Sequence, residues 1–389
     1  MNIKELSAKY SAYIIDRRRY YHARPELSGK EEQTRAAIKK DLQALGITEI
    51  AECTGCFGLA AQIRGAKPGK TVALRADIDA LPVFEQTGLP FASQTDGIMH
   101  ACGHDNHIAM LLGAAAILQE LRTQLCGTVR LLFQPAEESG MGADQMVAEG
   151  MMDGVDAAYG VHIWGTLDAP LIDFSAGKRL SCCHTFTIRV EGSSAHGAAP
   201  HLGIDAITVS AAMINNLQQM VSRMNDPINP LVLTIGTIRG GSRFNVICNE
   251  VVMEGTIRTF SMGTEVEERM RHIVASTAET FGARAELQYR YMTLPVINSD
   301  EQLLRLACDA VEKLYGPDYL GTHETLMVSE DFSKLCVAGV PYVFGLVGSR
   351  NEATGCTYTN HHEKYDVEET VLHRGAAVAA QFAVDYLAQ

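Results

Sequence analysis

The spacing of apolar and polar positions predicts a helix in which Ile38, Leu42 and Leu45 recur at helical intervals. Ser28-Gly29-Lys30-Glu31 ahead of it has the form of a capping box, and Gly46 supplies a stop. Apolar runs at 71–77, 127–133 and 157–163 predict buried strands. Between them, Ile108, Leu111, Leu112, Ala115 and Leu118 mark one face of a helix that Asp105 is placed to cap, and a shorter helix is expected over 141–149. Strands alternating with helices imply a mostly parallel sheet covered on both faces.

The pattern changes near residue 180. The stretch 184–192 alternates like a half-exposed strand, and 205–220 has a long helical pattern. Segments 231–241 and 246–260 read as antiparallel strands, 265–281 as a helix and 283–292 as a last strand. This β-α-β-β-α-β order is the ferredoxin-like arrangement. After Leu294 the α/β pattern returns, with a helix over 303–314, a strand over 342–348 and a closing helix over 368–387. The expected fold is α/β: a catalytic domain with a mostly parallel sheet (1–180 and 293–389) into which a ferredoxin-like α+β lid or dimerisation domain (181–292) is inserted.

Composition narrows the function classes. Of 389 residues, 47% are hydrophobic and 20% charged, as in ordinary soluble enzymes, and a chain of that size needs no disulfides to hold its core. The net charge of −13 argues against a nucleic-acid partner, which demands a basic face. The first residues lack a basic-then-apolar leader pattern, and no apolar run is long enough to span a membrane. A cytoplasmic location is therefore expected, with the ten cysteines as free thiols. Cys53 and Cys56 form an isolated C-x-x-C, and Cys182 and Cys183 are adjacent; neither pair has the second half that a structural zinc site needs.

The chemistry lies in four places: His100–His107 (HACGHDNH) before a helix, Gln134–Glu138 (QPAEE) directly after a strand, His162 at a strand end, and Asn360–His362 (NHH) between the last strand and helix. In an open parallel sheet, ligands bind beyond the carboxyl ends of the strands. Four segments thus bring Cys, His, Glu and His to one rim, a mixture that suits zinc, manganese or cobalt and not magnesium. Gln134-Pro135 fixes an extended turn ahead of the two glutamates. Asp77 and Asp79, at the end of the 71–77 strand, either orient ligands or cap the next turn.

These motifs, together with GVHIWGTL, SSAHGAAPHLGIDAI, SEDFS and HHEKYDVEE, resemble the amidohydrolase branch of the M20 metallopeptidase family, from about Arg18 to the end of the chain. That branch includes hippurate hydrolases, auxin-conjugate hydrolases and bacterial aminoacylases. The resemblance implies two divalent ions held by Cys102, His104, Glu138, His162 and His361. Glu363 stands where the family has proline, so the choice between His361 and His362 stays open on sequence. Cys248 replaces another usual proline, and Gly197 lies within the family's range. The resemblance also implies Glu137 as general base, His196 as an oxyanion donor reaching into a partner subunit's site, and Asn245 as a substrate-binding residue.

The expectation is a homodimeric enzyme, joined through the inserted domain, that hydrolyses the amide bond of small N-acyl amino acids with acetyl, benzoyl or aryl-acyl groups. Within the class the alternatives are N-acetyl-diaminopimelate deacetylation and small-peptide hydrolysis. Outside it, the alternative is a non-catalytic metal-binding protein, for which Glu137 would have no use.

Overall fold

A computed structural model describes residues 2–337 and 339–389. Along the chain, α1 (Ile3–His22) and α2 (Glu32–Ala44) precede β1 (Ile50–Glu52), β2 (Leu59–Arg64), β3 (Lys67–Asp77), α3 (His104–Leu121) and β4 (Cys126–Gln134). Then come α4 (Gly142–Ala148), β5 (Ala157–Asp168), β6 (Ile172–Asp173), β7 (Gly177–Leu180), β8 (Cys182–Glu191) and α5 (Ala206–Gln219). The remainder is β9 (Leu231–Gly240), β10 (Glu250–Thr259), α6 (Thr264–Thr280), β11 (Arg284–Tyr291), β12 (Val296–Asn298), α7 (Glu301–Tyr315), α8 (Phe332–Leu335), β13 (Tyr342–Arg350) and α9 (Leu372–Leu387).

The chain divides into two units. The first comprises residues 1–179, 297–324 and 331–389, and the second 180–296 and 325–330. Each has its own hydrophobic core, as an independently packed domain requires.

In the first unit the sheet order is β1-β2-β4-β3-β5-β13-β6. Its four central strands are parallel, and antiparallel strands close both edges. Residues 72–77 of β3 are buried in succession, the mark of a strand covered on both faces. Asp77 pairs with Gln134 and Arg75 with Gly160, so β3, β4 and β5 present their carboxyl ends at one level. Helix α3 is buried continuously from His104 to Leu118 and packs against α1 and α9. A helix apolar all round belongs in the interior, yet its first turn carries His104, Asp105 and His107.

In the second unit, four antiparallel strands in the order β11-β8-β10-β9 carry α5 and α6. The side chains that alternate inward, Phe186, Ile188 and Val190 of β8 and Val251 and Met253 of β10, meet Val209, Met213 and Leu217 of α5.

Two local expectations are corrected. Ser28 does not cap α2: its hydroxyl donates to Asp79, and Glu31 accepts the N–H groups of Gly29 and Ala136. Long-range partners at the sheet rim outcompete the local cap. Nor does Asp105 cap α3, which starts from Gly103 in a left-handed conformation; Asp105 is buried one residue into the helix, where it accepts from Arg18 and His22. Among the described residues, no helix is long and apolar enough to cross a membrane.

Candidate metal centre

The rim of the first sheet gathers Cys102, His104, Glu137, Glu138, His162 and His361. Cys102 and His104 flank Gly103, whose φ of +97° turns the chain into α3. A Cβ at Gly103 would lie 2.6 Å from Ile163 Cγ2, so only glycine fits there. Glu137 and Glu138 follow Ala136 (φ +54°), and His361 itself has φ +71°. Left-handed backbone at non-glycine residues costs about 1–3 kcal/mol each and persists where the surroundings impose it. Here it turns three donors toward one point.

Cys102 Sγ lies 3.3 Å from His162 Nε2 and 3.3 Å from His361 Nε2. His361 Nε2 lies 3.5 Å, and His104 Nε2 4.0 Å, from Glu138 Oε1. Donor atoms of Cys102–His104–His162, of Cys102–Glu138–His361 and of His104–Glu137–Glu138 each fall within 4.8 Å of one another. His362 is turned elsewhere: it stacks on Tyr358, and its Nδ1 accepts the Lys364 N–H.

The imidazoles are oriented by hydrogen bonds on their far side. His162 Nδ1 is 2.7 Å from the Ile163 carbonyl and must donate to it, which leaves the Nε2 lone pair facing Cys102. His104 Nδ1 is 3.2 Å from Asp79 Oδ1. The other Asp79 oxygen accepts from Ser28 Oγ at 2.6 Å and from the Glu138 N–H at 3.1 Å. Asp79 therefore touches the His104 ring and the backbone of Glu138 at once. Asp77 pairs with Arg75 at 2.6 Å and with His107 Nδ1. Since His107 Nε2 accepts the Ile163 N–H, its Nδ1 is the donor to Asp77.

The electrostatics call for a cation. His104 Nε2 and Glu138 Oε1 are buried with no hydrogen-bond partner. An uncompensated buried polar atom costs about 1–3 kcal/mol, and a metal ion is one way to satisfy it. Burial, followed by the Glu138 and Glu137 charges, pushes the Cys102 thiol well above its ordinary pKa. Burial would lower His104, but Asp77, Asp79 and Glu138 outweigh it and raise its pKa to about 10. Burial would raise Asp77, but Arg75, His104 and His107 outweigh it and hold that carboxyl well below the carboxylate range. A thiol, three imidazoles and carboxylates around unpartnered donor atoms fit soft-to-borderline divalent ions.

Sequence reasoning missed several supports. Asp331 accepts from Arg75 at 3.2 Å and Gln134 at 2.6 Å, while its own N–H donates to Glu137 Oε1 at 3.3 Å. Asn360 donates to the carbonyls of Cys102 and Ile163 and accepts the Gly165 N–H, tying three segments together. Arg18 and His22 hold Asp105 beneath the first turn of α3. The motifs SEDFS and NHH pointed to the first two segments without assigning these residues a task.

His196 and Asn245 lie in the second unit. Val246 bridges His196, and the Gly197 N–H donates to the Asn245 carbonyl. His196 Nδ1 accepts the Ala198 N–H at 3.0 Å, which puts the ring proton on Nε2 and makes that nitrogen a donor.

A model of the family described as peptidase family M20/M25/M40 matches residues 73–385. The chain is 39% identical over 381 residues to thermostable carboxypeptidase 1 of Saccharolobus solfataricus, covering 96% of this chain and 95% of the relative. It is 43% identical over 302 residues to an N-acyl-L-amino acid amidohydrolase of Geobacillus stearothermophilus, covering 77% of this chain and 81% of the relative. Among solved structures, a dinuclear metal binding peptidase of the M20 family from Bacillus subtilis matches with a TM-score of 0.85 and 33% identity, over 98% of this chain and 99% of that one.

Proposed function

The chain belongs to peptidase family M20/M25/M40, and from that premise we propose that it hydrolyses the amide bond of N-acyl amino acids, releasing a carboxylic acid and the free amino acid. The observation that carries this reading is the pairing of Glu137 with a cluster of metal donors in which two buried atoms, His104 Nε2 and Glu138 Oε1, have no hydrogen-bond partner.

Cys102, His104, Glu138, His162 and His361 would hold two divalent ions. When bound, these supply positive charge that acidifies water and polarises a carbonyl. The Glu137 carboxylate takes the proton of the attacking water and returns it to the nitrogen of the leaving amine. Oxygen joins the acyl carbon, the C–N bond breaks, and the proton count closes. The Asp331 N–H fixes one Glu137 oxygen, so the base has a defined orientation. His196 Nε2–H stabilises negative charge developing on the acyl oxygen, and Asn245 contacts the substrate. By this reading the second unit mediates a homodimer and each subunit lends His196 to the other's site. The protein acts in the cytoplasm on small molecules.

The similarity to a carboxypeptidase supports a second reading, in which the acyl group is itself a peptide. A substrate panel separates the two. The purified protein, loaded with zinc, manganese or cobalt, is assayed for amine release from N-acetyl amino acids, hippurate, indole-acetyl conjugates and dipeptides. Turnover of the acylated amino acids that is abolished by a chelator and restored by metal supports the proposal. Turnover of peptides alone transfers the protein to the second reading, and none on any substrate at full metal content refutes both.

A further inference from the structure

The isolated C-x-x-C is part of neither the metal cluster nor its supports. Cys53 and Cys56 lie in the loop joining β1 to β2, with Cys53 buried and Cys56 half-buried. Their sulfurs and a Glu149 carboxylate oxygen lie within 4.8 Å of one another. The loop between them is clamped from two sides. Glu149 accepts the Thr54 N–H at 2.6 Å, the Thr54 hydroxyl at 3.0 Å and the Gly55 N–H at 2.8 Å. Arg35 Nη1 donates to the carbonyls of Cys53 at 3.1 Å and Cys56 at 3.3 Å. The Cys53 N–H closes the turn on the Gly58 carbonyl at 2.9 Å.

We propose that Cys53 and Cys56 form a second chemical site, a dithiol that exchanges with low-molecular-weight disulfides and closes reversibly to a Cys53–Cys56 disulfide. The clamp holds both sulfurs on one side of a short turn, so the ring closes with little further loss of chain freedom. Exposure assigns the order of events. The Cys56 thiolate attacks the incoming disulfide R–S–S–R and expels one thiol, leaving a mixed disulfide on Cys56. The Cys53 sulfur, losing its proton to solvent, then attacks Cys56 and expels the second thiol. Two protein thiols are oxidised by two electrons, and one small disulfide is reduced to two thiols.

The electrostatics agree with that order. A hydrogen bond from Cys53, opposed by burial and helped by the Gly58 N–H, lowers the Cys56 pKa to about 7, while Cys53 is pushed up. A soft cation between the sulfurs is the competing occupant. Glu149 argues against it, because both its oxygens already face backbone N–H groups.

The test uses the metal-loaded enzyme, reduced and then exposed to oxidised glutathione at neutral pH, with each cysteine followed by peptide mass mapping. Wild type is expected to lose two hydrogens on the Cys53–Cys56 peptide and to regain them with dithiothreitol. Cys53→Ser should trap a glutathionyl group on Cys56, and Cys56→Ser should leave Cys53 unmodified. Amide hydrolysis by both variants stays near wild type and reports that they fold. Phenylarsine oxide, which bridges paired thiols, checks wild type without any substitution: one equivalent should protect both cysteines. Wild type that accumulates the mixed disulfide at Cys56 and never the internal bond overturns the proposal. So does a Cys56→Ser variant holding one metal ion fewer per chain than wild type.

Discussion

Asp79→Asn probes whether the hydrogen bond behind His104 sets its competence to bind metal. Asp79 is fully buried, with Oδ1 facing His104 Nδ1 and Oδ2 taking the Ser28 hydroxyl and the Glu138 N–H. Asparagine keeps the shape and supplies one acceptor in place of two. If its oxygen keeps Ser28 and Glu138, its NH2 meets the Nδ1–H of His104. Either that donor is left unpaired, at about 1–3 kcal/mol, or the ring proton moves to Nε2 and closes the nitrogen that faces Glu138. If the amide takes the opposite orientation, the Glu138 N–H and the Ser28 hydroxyl lose their acceptor instead. Each arrangement weakens a proposed ligand, and partners of this kind are worth about 10–100-fold in metal affinity or activity. A competition titration against a fluorescent chelator should therefore show one metal equivalent bound about 10–100-fold more weakly, with turnover restored at high metal. The metal-free protein should unfold within a few degrees of wild type, since the pair acts on the ion more than on the fold. Wild-type affinity with unaltered turnover would refute the reasoning, because neither orientation of the amide can reproduce all three contacts.

Other outcomes follow from the same geometry. Glu137→Gln should keep its metal yet lose about 10²–10⁴-fold in rate; near-normal turnover at full metal content would remove Glu137 as the base. His196→Ala should lose about 10²–10³-fold in kcat without losing metal. Mixed with Glu137→Gln under subunit exchange, it should regain activity in roughly a quarter of all sites; verified exchange without recovery would place His196 within its own subunit. Gly103→Ala should cost about 2–4 kcal/mol, from a non-glycine residue at φ +97° and the overlap with Ile163, measured as a fall in urea midpoint. His184, buried with both ring nitrogens unpartnered, has its pKa lowered to about 4, chiefly by burial. The unfolded chain then binds the extra proton between pH 6.5 and 4. Stability of up to about 3 kcal/mol is present above pH 6.5 and is lost as pH falls through that window. His184→Leu should flatten the slope of unfolding free energy against pH there, and an unchanged slope would exclude His184 as its source.

Much of the fold was legible from local pattern. The runs at 71–77, 127–133 and 157–163 became the centre of the parallel sheet, and the elements between 184 and 292 took the β-α-β-β-α-β order. These segments announce themselves because burial acts on a local period: an apolar run or a 3.6-residue repeat is written in neighbouring residues. The donor segments were legible for a related reason, since each follows a strand or opens a helix at the rim.

Only the folded chain decided the rest. His361 and His362 are equivalent by spacing, and a backbone at φ +71° sends one toward Cys102 while the other stacks on Tyr358. Ser28 and Glu31 read as a capping box because a motif counts neighbours, but Asp79 and Ala136, some fifty and a hundred residues away, claim their side chains. Asp331 and Asn360 sit in motifs that gave them no task, and Arg18 has no local signature; each matters through residues distant in the chain. Hydrophobic periodicity is a sum over many weak local contacts and survives translation into a pattern. A buried hydrogen bond is one directional contact, set by where two remote segments meet, and only the assembled sheet fixes that place.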